Sequence, residues 1–118
     1  SKVRAEEEVK DGFKFKTQWG EGVAVVTRND GIMDVAMKNG YAIVVRKDPN
    51  EGYVRITGNN ACKVDLTKAY EMVGKQDNIG NWFLHASKVL LRNGSTRNPT
   101  MKPTKMSVEE VVAILEKA

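Results

Sequence analysis

Hydrophobic and polar residues alternate in several short segments separated by turn signals, a pattern typical of a small α/β domain. Near the N-terminus, Phe13, Phe15 and Thr17 alternate with polar residues, which predicts a half-buried strand. Two glycines within 19–22 indicate a turn. The nearly continuous apolar run at 23–27 then predicts a strand that is covered on both faces.

The following segments predict a β-α-β-β unit. A short helix is expected to begin at Ile32, with Asn29 or Asp30 as its N-terminal cap. Strands are expected at 41–46 and 53–57, and the turn residues between them join the two strands into a hairpin. The first β-α-β connection is expected to be a right-handed crossover.

The second half of the chain predicts two helices and another hairpin. Asp65 is expected to cap a helix that ends at Gly74, and the apolar runs at 82–85 and 89–91 predict the hairpin. Ser107 begins a capping box and therefore a C-terminal helix. The predicted fold is mixed α/β, with a small sheet of about five or six strands, a β-α-β-β core, flanking helices and a C-terminal helix.

The two parts of the chain are expected to differ in role. The first residues are strongly charged and the chain starts at Ser1 and not at Met, so 1–12 is expected to be a linker or the truncated end of an interdomain helix. Residues 13–118 are expected to form a single α/β binding domain. A longer parent protein with a further domain before Ser1 is expected.

Composition narrows the class of protein. The chain has 118 residues, of which 41% are hydrophobic and 29% charged, the balance of an ordinary globular domain. No apolar run approaches the roughly 18 residues that a membrane span requires, so no membrane partner is expected. Cys62 is the single cysteine, which excludes an internal disulfide and favours a cytoplasmic location.

Net positive charge is concentrated in one stretch. From Asn78 to Val108 there is no Asp or Glu but there are five Lys or Arg residues, while the whole chain has a net charge of +4. Within this stretch, 92–99 combines arginines, a glycine and hydroxyl groups, which can form an anion-binding concavity. The alternative is a polar loop whose Ser, Thr and Asn side chains bond their own backbone.

Eight residues of this stretch are predicted to bind phosphate or substrate. The basic side chains are expected to neutralise phosphate, the loop 93–96 to cradle it, and the only histidine to orient it. That histidine has a simpler alternative as a hydrogen-bonded structural residue. The predicted set is His85, Arg92, Asn93, Gly94, Ser95, Thr96, Arg97 and Lys102.

The sequence predicts no catalytic residue and no metal ligand on this chain. His85 lacks companions for a zinc or iron site, and Ser87 is the only nearby nucleophile. The aspartates are explained as helix caps and turn residues, and there is no DHH or HD string for a two-metal centre. Trp19 and Trp82 are either core residues or stacking platforms, with core packing the simpler interpretation.

The second half of the chain carries a family resemblance. The strings "WFLH" at 82–85, "LRNGS" at 91–95 and "PTKMS" at 103–107, followed by the closing helix, resemble the end of uncharacterised DHH-type phosphoesterase proteins. The segment 22–56 is similar to the β-α-β-β unit of their accessory domain. The "GGH" string common in such domains is missing, and "NGST" at 93–96 stands at a comparable place.

The resemblance implies a non-catalytic accessory domain that helps to hold a phosphorylated substrate. The Asp/His manganese centre of such enzymes would lie in a separate N-terminal catalytic domain of the same protein, so no cofactor is expected on this chain. The ligand would be a phosphorylated small molecule or a nucleic acid. The alternatives are a nucleic-acid-binding module, with Trp82, Tyr41 or Tyr53 stacking on bases, and a protein-interaction domain.

Overall fold

The computed structural model describes residues 2–95, 97–98 and 100–118. Its elements follow in the order α1 (Lys2–Lys10), β1 (Phe13–Thr17), β2 (Gly20–Val26), α2 (Ile32–Lys38), β3 (Ile43–Lys47), β4 (Val54–Gly58), a short 3-10 helix (Asn60–Cys62), α3 (Thr67–Gln76), β5 (Phe83–Leu84), β6 (Leu90–Arg92) and α4 (Val108–Lys117). None of the described helices is both long and apolar enough to cross a membrane.

The strands form one six-stranded mixed sheet in the order β1-β2-β3-β4-β6-β5. β2 and β3 are parallel and are connected through α2, whereas every other neighbouring pair is antiparallel. The predicted mixed α/β fold, with its β-α-β-β core, flanking helices and C-terminal helix, is confirmed. Both predicted hairpins, β3–β4 and β5–β6, are present.

One face of the sheet is apolar across its four central strands. Ala24, Val45, Ile56 and Leu91 are consecutive register partners on β2, β3, β4 and β6. Each is at most 3% exposed, and together they belong to a core that includes the inner residues of α3 and α4. Both tryptophans pack against this core, which agrees with the simpler interpretation of their role.

The C-terminal helix closes this core as the sequence predicts. Its inner face carries Val111, Val112 and Leu115, all buried. The predicted capping box is present, since the Glu110 backbone N–H donates to Ser107 Oγ at 3.1 Å and the Ser107 backbone N–H donates to Glu110 Oε1 at 3.0 Å. Capping and burial therefore both favour α4.

The opposite face is covered over only part of its width. The second apolar cluster is formed by residues of α1, α2, β2 and β3. On the same face of the outer strands, by register with that cluster, lie Arg55 and Phe83, both of which are exposed. We call this exposed part of the face, at Arg55 and Phe83, the uncovered half-face.

The N-terminal segment 1–12 contains a helix that packs on the domain. Ala5 and Val9 of α1 are at most 1% exposed and belong to the second apolar cluster. Lys14 Nζ donates to the carbonyl oxygens of Val9 and Lys10 at 2.9 and 2.8 Å, which stabilises the end of the helix. Whether this segment leads to another domain stays a prediction.

Two predictions that depended on glycine need correction in their bounds. The turn predicted within 19–22 is present between β1 and β2 but lies at 18–19, and β2 already begins at Gly20. Gly22 therefore lies within β2, where the ring of its register partner Phe15 occupies the place that a Cβ would take. Gly74 lies inside α3, which continues to Gln76, since burial of its inner residues outweighs the cost of about 1 kcal/mol for a helical glycine.

The predicted cap of α2 is also wrong. Gly31 occupies the N-cap position, and no side chain caps the helix there. Asn29 Oδ1 nevertheless accepts a hydrogen bond from the Gly31 backbone N–H at 2.9 Å, so Asn29 supports the start of α2 from two residues before its N-cap position. The carboxylate of Asp30 pairs instead with Arg46 of β3 at 3.1 Å.

Asp65 was predicted to be the N-cap residue of α3, but it lies one residue before the N-cap position. The N-cap residue of α3 is Leu66, and it makes no side-chain cap bond. Asp65 Oδ1 nevertheless accepts hydrogen bonds from the Thr67 backbone N–H at 2.9 Å and from Thr67 Oγ1 at 2.6 Å. The aspartate therefore supports the start of the helix from outside it.

Candidate anion-binding cleft

Three arginines occupy neighbouring positions on the partly uncovered face of the sheet. Arg46 of β3 is the register partner of Arg55 of β4, and Arg55 is the register partner of Arg92 of β6. Neighbouring strands lie about 4.8 Å apart. Like charges directly opposite each other destabilise a sheet. This arginine row is therefore unfavourable for folding unless an anion balances it.

The arginine row borders a cleft where the parallel strands β2 and β3 end. The cleft has a volume of about 230 Å³, and Arg28, which follows β2, adds a fourth arginine to its wall. Gly94 and Ser95 of the loop after β6 also line it. Ligands of open α/β sheets bind outside the carboxyl ends of the parallel strands. The position of this cleft agrees with that rule.

Arg46 is fixed by two contacts and retains an unused donor. Its Nη1 donates to the carbonyl oxygen of Thr27 at 3.3 Å, and its Nη2 pairs with Asp30 Oδ1 at 3.1 Å. Its Nε atom is buried and has no hydrogen-bond partner among the described residues. A buried donor without a partner costs about 1–3 kcal/mol, so an added acceptor at this atom would stabilise the protein.

The other three arginines of the cleft lack acidic partners. Within residues 2–95, 97–98 and 100–118, no carboxylate lies within 4.0 Å of Arg28, Arg55 or Arg92. The guanidinium group of Arg92 lies over the ring of Phe83, 5.6 Å from its centroid. With four arginines and two aspartates among its lining residues, the cleft keeps an excess of two positive charges.

Asp48, one of these aspartates, belongs to the β3–β4 turn. Its Oδ1 atom accepts hydrogen bonds from the backbone N–H groups of Asn50 at 2.8 Å and Glu51 at 3.0 Å. The bond from Glu51 is the largest cause that lowers the pKa of Asp48, and the Asn50 bond and the nearby guanidinium groups of Arg28 and Arg46 lower it further against a raising effect of burial. Asp48 is thus a charged turn residue.

Asn93, predicted to cradle the ligand, is fully buried. Its Nδ2 donates to the carbonyl oxygens of Asn81 at 2.7 Å and Lys102 at 3.0 Å, and its Oδ1 accepts from the Thr104 backbone N–H at 2.6 Å. Every hydrogen of the amide is used within the protein. The prediction that this side chain contacts the ligand directly is therefore corrected. The Asn93 amide instead holds the backbone of Asn81, Lys102 and Thr104 together.

The other three residues of the predicted cradle, at 94–96, differ in what the structure shows of them. Gly94 has a left-handed φ of 77°, and a Cβ at this position would lie 3.0 Å from atoms of Met101 and Tyr53. Ser95 Oγ accepts from the Arg97 backbone N–H at 3.2 Å, the local bonding that the polar-loop alternative predicts. Thr96 lies outside the described residues. Gly94 and Ser95 still contribute to the cleft wall.

Two predicted basic residues do not line the cleft. Arg97 and Lys102 are both exposed. The main chain of Lys102 is bonded to Asn81, through N–H to Oδ1 at 2.8 Å and through its carbonyl oxygen to the Asn81 N–H at 3.0 Å. The structure therefore brings Arg92, Gly94 and Ser95 together and leaves these two side chains apart from them.

His85 lies at the tip of the β5–β6 hairpin and also outside the cleft. Its Nδ1 atom accepts a hydrogen bond from the Ser87 backbone N–H at 3.0 Å and lies 2.8 Å from Ser87 Oγ. Its ring meets Phe83 edge to face, with centroids 6.5 Å apart. These contacts agree with a structural histidine that orders its own turn.

The residues missed from the sequence are Arg28, Arg46 and Arg55. They lie in three separate segments, and none is inside the acid-free stretch. The available signal was an arginine within or directly after an apolar strand pattern, as in the Val54-Arg55-Ile56 string. Alternation placed Arg55 opposite to the core face, but only strand register places it beside the others.

A second polar cluster lies beneath the same loop. Asp77 accepts four hydrogen bonds: Oδ1 from the Ile79 and Gly80 backbone N–H groups at 2.9 and 2.8 Å, and Oδ2 from Trp82 Nε1 and Thr104 Oγ1 at 2.8 and 2.6 Å. Partial burial alone raises the pKa of Asp77, but these bonds outweigh it and lower the pKa to about 2. We call Asp77, Asn81, Asn93 and Thr104, with the Lys102 main chain, the Asp77–Asn93 network.

In the part of the chain that the structure describes, no group of three or more His, Cys, Asp or Glu residues is placed to hold a metal ion. Comparisons with protein-family models, curated proteins and solved structures found no match to this chain. The resemblance to DHH-type accessory domains consequently stays a prediction.

Proposed function

We propose that this domain binds a phosphate-bearing ligand in the arginine cleft and performs no catalysis on its own. One observation carries the proposal: four arginines from separate segments line a single cleft, and only Arg46 among them pairs with a carboxylate in the described structure. Arginine matches phosphate oxygens with its planar fork. A phosphate would also relieve the repulsion within the arginine row.

The context of this binding follows from the sequence resemblance and is part of the proposal. The domain would be the accessory domain of a DHH-type phosphoesterase-like protein, with manganese held in a separate N-terminal catalytic domain. The cleft would then hold the phosphorylated substrate while the other domain cleaves it. A cytoplasmic location is proposed on the single cysteine, Cys62.

A nucleic-acid strand is the second candidate ligand, favoured by the uncovered half-face. Phe83 is 43% exposed there and lies beside Arg92, and Arg55 is exposed on the neighbouring strand. Aromatic rings and arginines together bind single strands. Such binding would weaken steeply with added salt and would weaken further in Phe83→Leu, whereas a small phosphate ligand would not depend on Phe83.

The test is a titration of the domain with pyrophosphate, followed by NMR and calorimetry. We expect the amides of Gly94 and Ser95 and of the strand ends at Arg28 and Arg46 to shift. Arg55→Gln and Arg92→Gln should each weaken binding roughly tenfold or more, because a hydrogen bond to a charged group contributes about 1.5–3 kcal/mol.

Two control variants locate the site. Lys16→Gln removes an exposed positive charge on the distant strand β1 and should leave the affinity unchanged. Arg97→Gln separates the cleft from the sequence-predicted loop: it should have no effect if the cleft is the site. An effect of Arg97→Gln without one of Arg55→Gln would move the site to the loop, and no shift at millimolar pyrophosphate would refute the proposal.

A further inference from the structure

We propose that Asp30 is an internal stand-in for the ligand: its carboxylate occupies the edge of Arg46 that binds a phosphate group, and ligand binding displaces it. This inference rests on the proposed phosphate-binding function and adds a defined subsite and an autoinhibitory contact to it. It makes Asp30 a residue that lowers the affinity of the cleft, although it lies within the binding region.

The geometry of Arg46 identifies the subsite. A guanidinium group offers two oxygens of a phosphate the pair of donors formed by Nε and Nη2. In Arg46, Nη1 is already used by the Thr27 carbonyl oxygen, at 3.3 Å. Of the remaining pair, Nη2 holds Asp30 Oδ1 at 3.1 Å and Nε has no partner among the described residues. Asp30 therefore fills half of a site that accepts two oxygens.

The Asp30 side chain is more exposed and makes fewer contacts than the Arg46 side chain with which it pairs. The Asp30 side chain is 84% exposed, whereas that of Arg46 is 17% exposed. Asp30 does not cap α2, and its carboxylate makes no hydrogen bond other than the Arg46 contact among those that the described residues show. It can turn into solvent without opening the core. Arg46, partly buried and hydrogen-bonded to the Thr27 carbonyl oxygen, stays in place to receive the ligand.

The contact nevertheless competes effectively with free anions. A carboxylate on the same chain is present at a high effective concentration, in the millimolar range for a short flexible tether. A free phosphate group must overcome this advantage, and it does so by using the neighbouring arginines and the Nε donor, which is buried while Asp30 is in place. The expected cost of Asp30 to ligand affinity is that of one exposed ion pair, roughly fivefold.

Asp48 provides a matched control in the same cleft. It carries the same charge near Arg46, but its Oδ1 is bonded to the turn backbone and the structure shows no ion pair between it and an arginine. An asparagine at this position keeps an Oδ1 acceptor for both backbone groups. Asp48→Asn therefore removes one negative charge from the cleft without releasing Arg46.

The experiment compares wild type, Asp30→Asn and Asp48→Asn in titrations with methyl phosphate and dimethyl phosphate. Displacement predicts that Asp30→Asn tightens both ligands roughly fivefold beyond the gain of Asp48→Asn, because it removes an internal competitor as well as a charge. Removal of a charge alone favours the doubly charged methyl phosphate more. Asp48→Asn should show only this smaller, charge-dependent gain.

The Nε–H resonance of Arg46 gives a direct readout. It should shift on addition of methyl phosphate to wild type, as the unpartnered donor gains an acceptor. Arg46→Lys keeps the charge but lacks the paired donors, so adding Asp30→Asn to it should produce no further gain. Circular dichroism of each variant confirms that the fold is kept.

The outcomes separate the two proposals. If neither phosphate ester binds wild type or Asp30→Asn, the proposed function fails and this inference fails with it. If methyl phosphate binds wild type but Asp30→Asn binds it more weakly, Asp30 positions Arg46 and the inference alone is overturned. An equal gain in Asp30→Asn and Asp48→Asn would likewise overturn it and leave the binding function intact.

Discussion

Two polar clusters meet at the end of β6, and they differ in how well their groups are satisfied. Arg92 is the last residue of the strand and belongs to the arginine row. Asn93 follows it directly and belongs to the Asp77–Asn93 network. In the network every polar atom of the Asn93 amide has a partner within 3.0 Å. In the row, the buried Nε of Arg46 has none among the described residues.

This difference distinguishes polar groups that stabilise the fold from charged groups that are available to bind a ligand. Buried polar groups in folded proteins are almost always hydrogen-bonded, and a saturated network rigidifies the fold. A row of adjacent cations, of which only Arg46 pairs with a carboxylate among the described residues, does not help folding, because the charges repel. We therefore expect changes in the network to lower stability strongly, and changes in the row to alter anion binding with little effect on stability.

The largest expected effect is that of Asn93→Ala. The substitution leaves the buried Thr104 N–H and the partly buried Asn81 carbonyl oxygen without their partners. We expect the free energy of unfolding to fall by roughly 2–4 kcal/mol, measured by urea denaturation. Asn60→Ala, at an exposed asparagine, is the control and should change it little. Equal losses in the two variants would contradict a structural role for the network.

This network also shows what sequence patterns can and cannot predict. Alternation and turn signals identified the six described strands and the helices α2, α3 and α4, because burial has the same period as the backbone. The segment that contains α1 was predicted only as a linker or the truncated end of an interdomain helix. The role of Asn93 was assigned wrongly, since an Asn-Gly-Ser string looks the same whether its amide faces a ligand or the backbone groups of Asn81, Lys102 and Thr104. Only contacts between distant segments distinguish these cases.

The arginine row was missed for a related reason. Arg46, Arg55 and Arg92 are spread over 47 positions of the chain, and their side-by-side placement depends on the register of three strands. The acid-free stretch drew attention to local charge density and so to Arg97 and Lys102. Three residues of the predicted set, Arg92, Gly94 and Ser95, thus line the cleft. The arginines on its other side, Arg28, Arg46 and Arg55, could not be predicted from the sequence.

A smaller effect, and one that depends on pH, is expected at Asp77. Its pKa is lowered in the folded protein from 3.8 to about 2, so the deprotonated side chain stabilises the fold above pH 3.8. That contribution is lost as pH falls from 3.8 towards 2, since the folded protein must then also bind the proton. Asp77→Asn should therefore be less stable than wild type at neutral pH, and the difference should narrow across this window.

Thermal unfolding of both proteins between pH 6 and pH 2 measures this, with pH values chosen to bracket the two pKa values. Asp65→Asn is the matched control, because Asp65 also accepts bonds from Thr67 but is exposed. Its loss should be smaller at every pH. A difference for Asp77→Asn that does not change below pH 3.8 would show that the charge of Asp77 does not stabilise the network.

The smallest effect on stability, with the most diagnostic sign, is expected for Arg55→Gln. Arg55 lies between Arg46 and Arg92 in register, so its removal relieves repulsion on both sides. We expect the free energy of unfolding to change by less than about 0.5 kcal/mol, towards higher stability. Because added salt screens exposed charges, the gain should disappear at high ionic strength.

If Arg55→Gln instead lost as much stability as Asn93→Ala, the row would be a structural element like the network. A small salt-sensitive gain in the free energy of unfolding, together with weaker pyrophosphate binding, would show that the arginine row lowers the stability of the free protein and binds the anion.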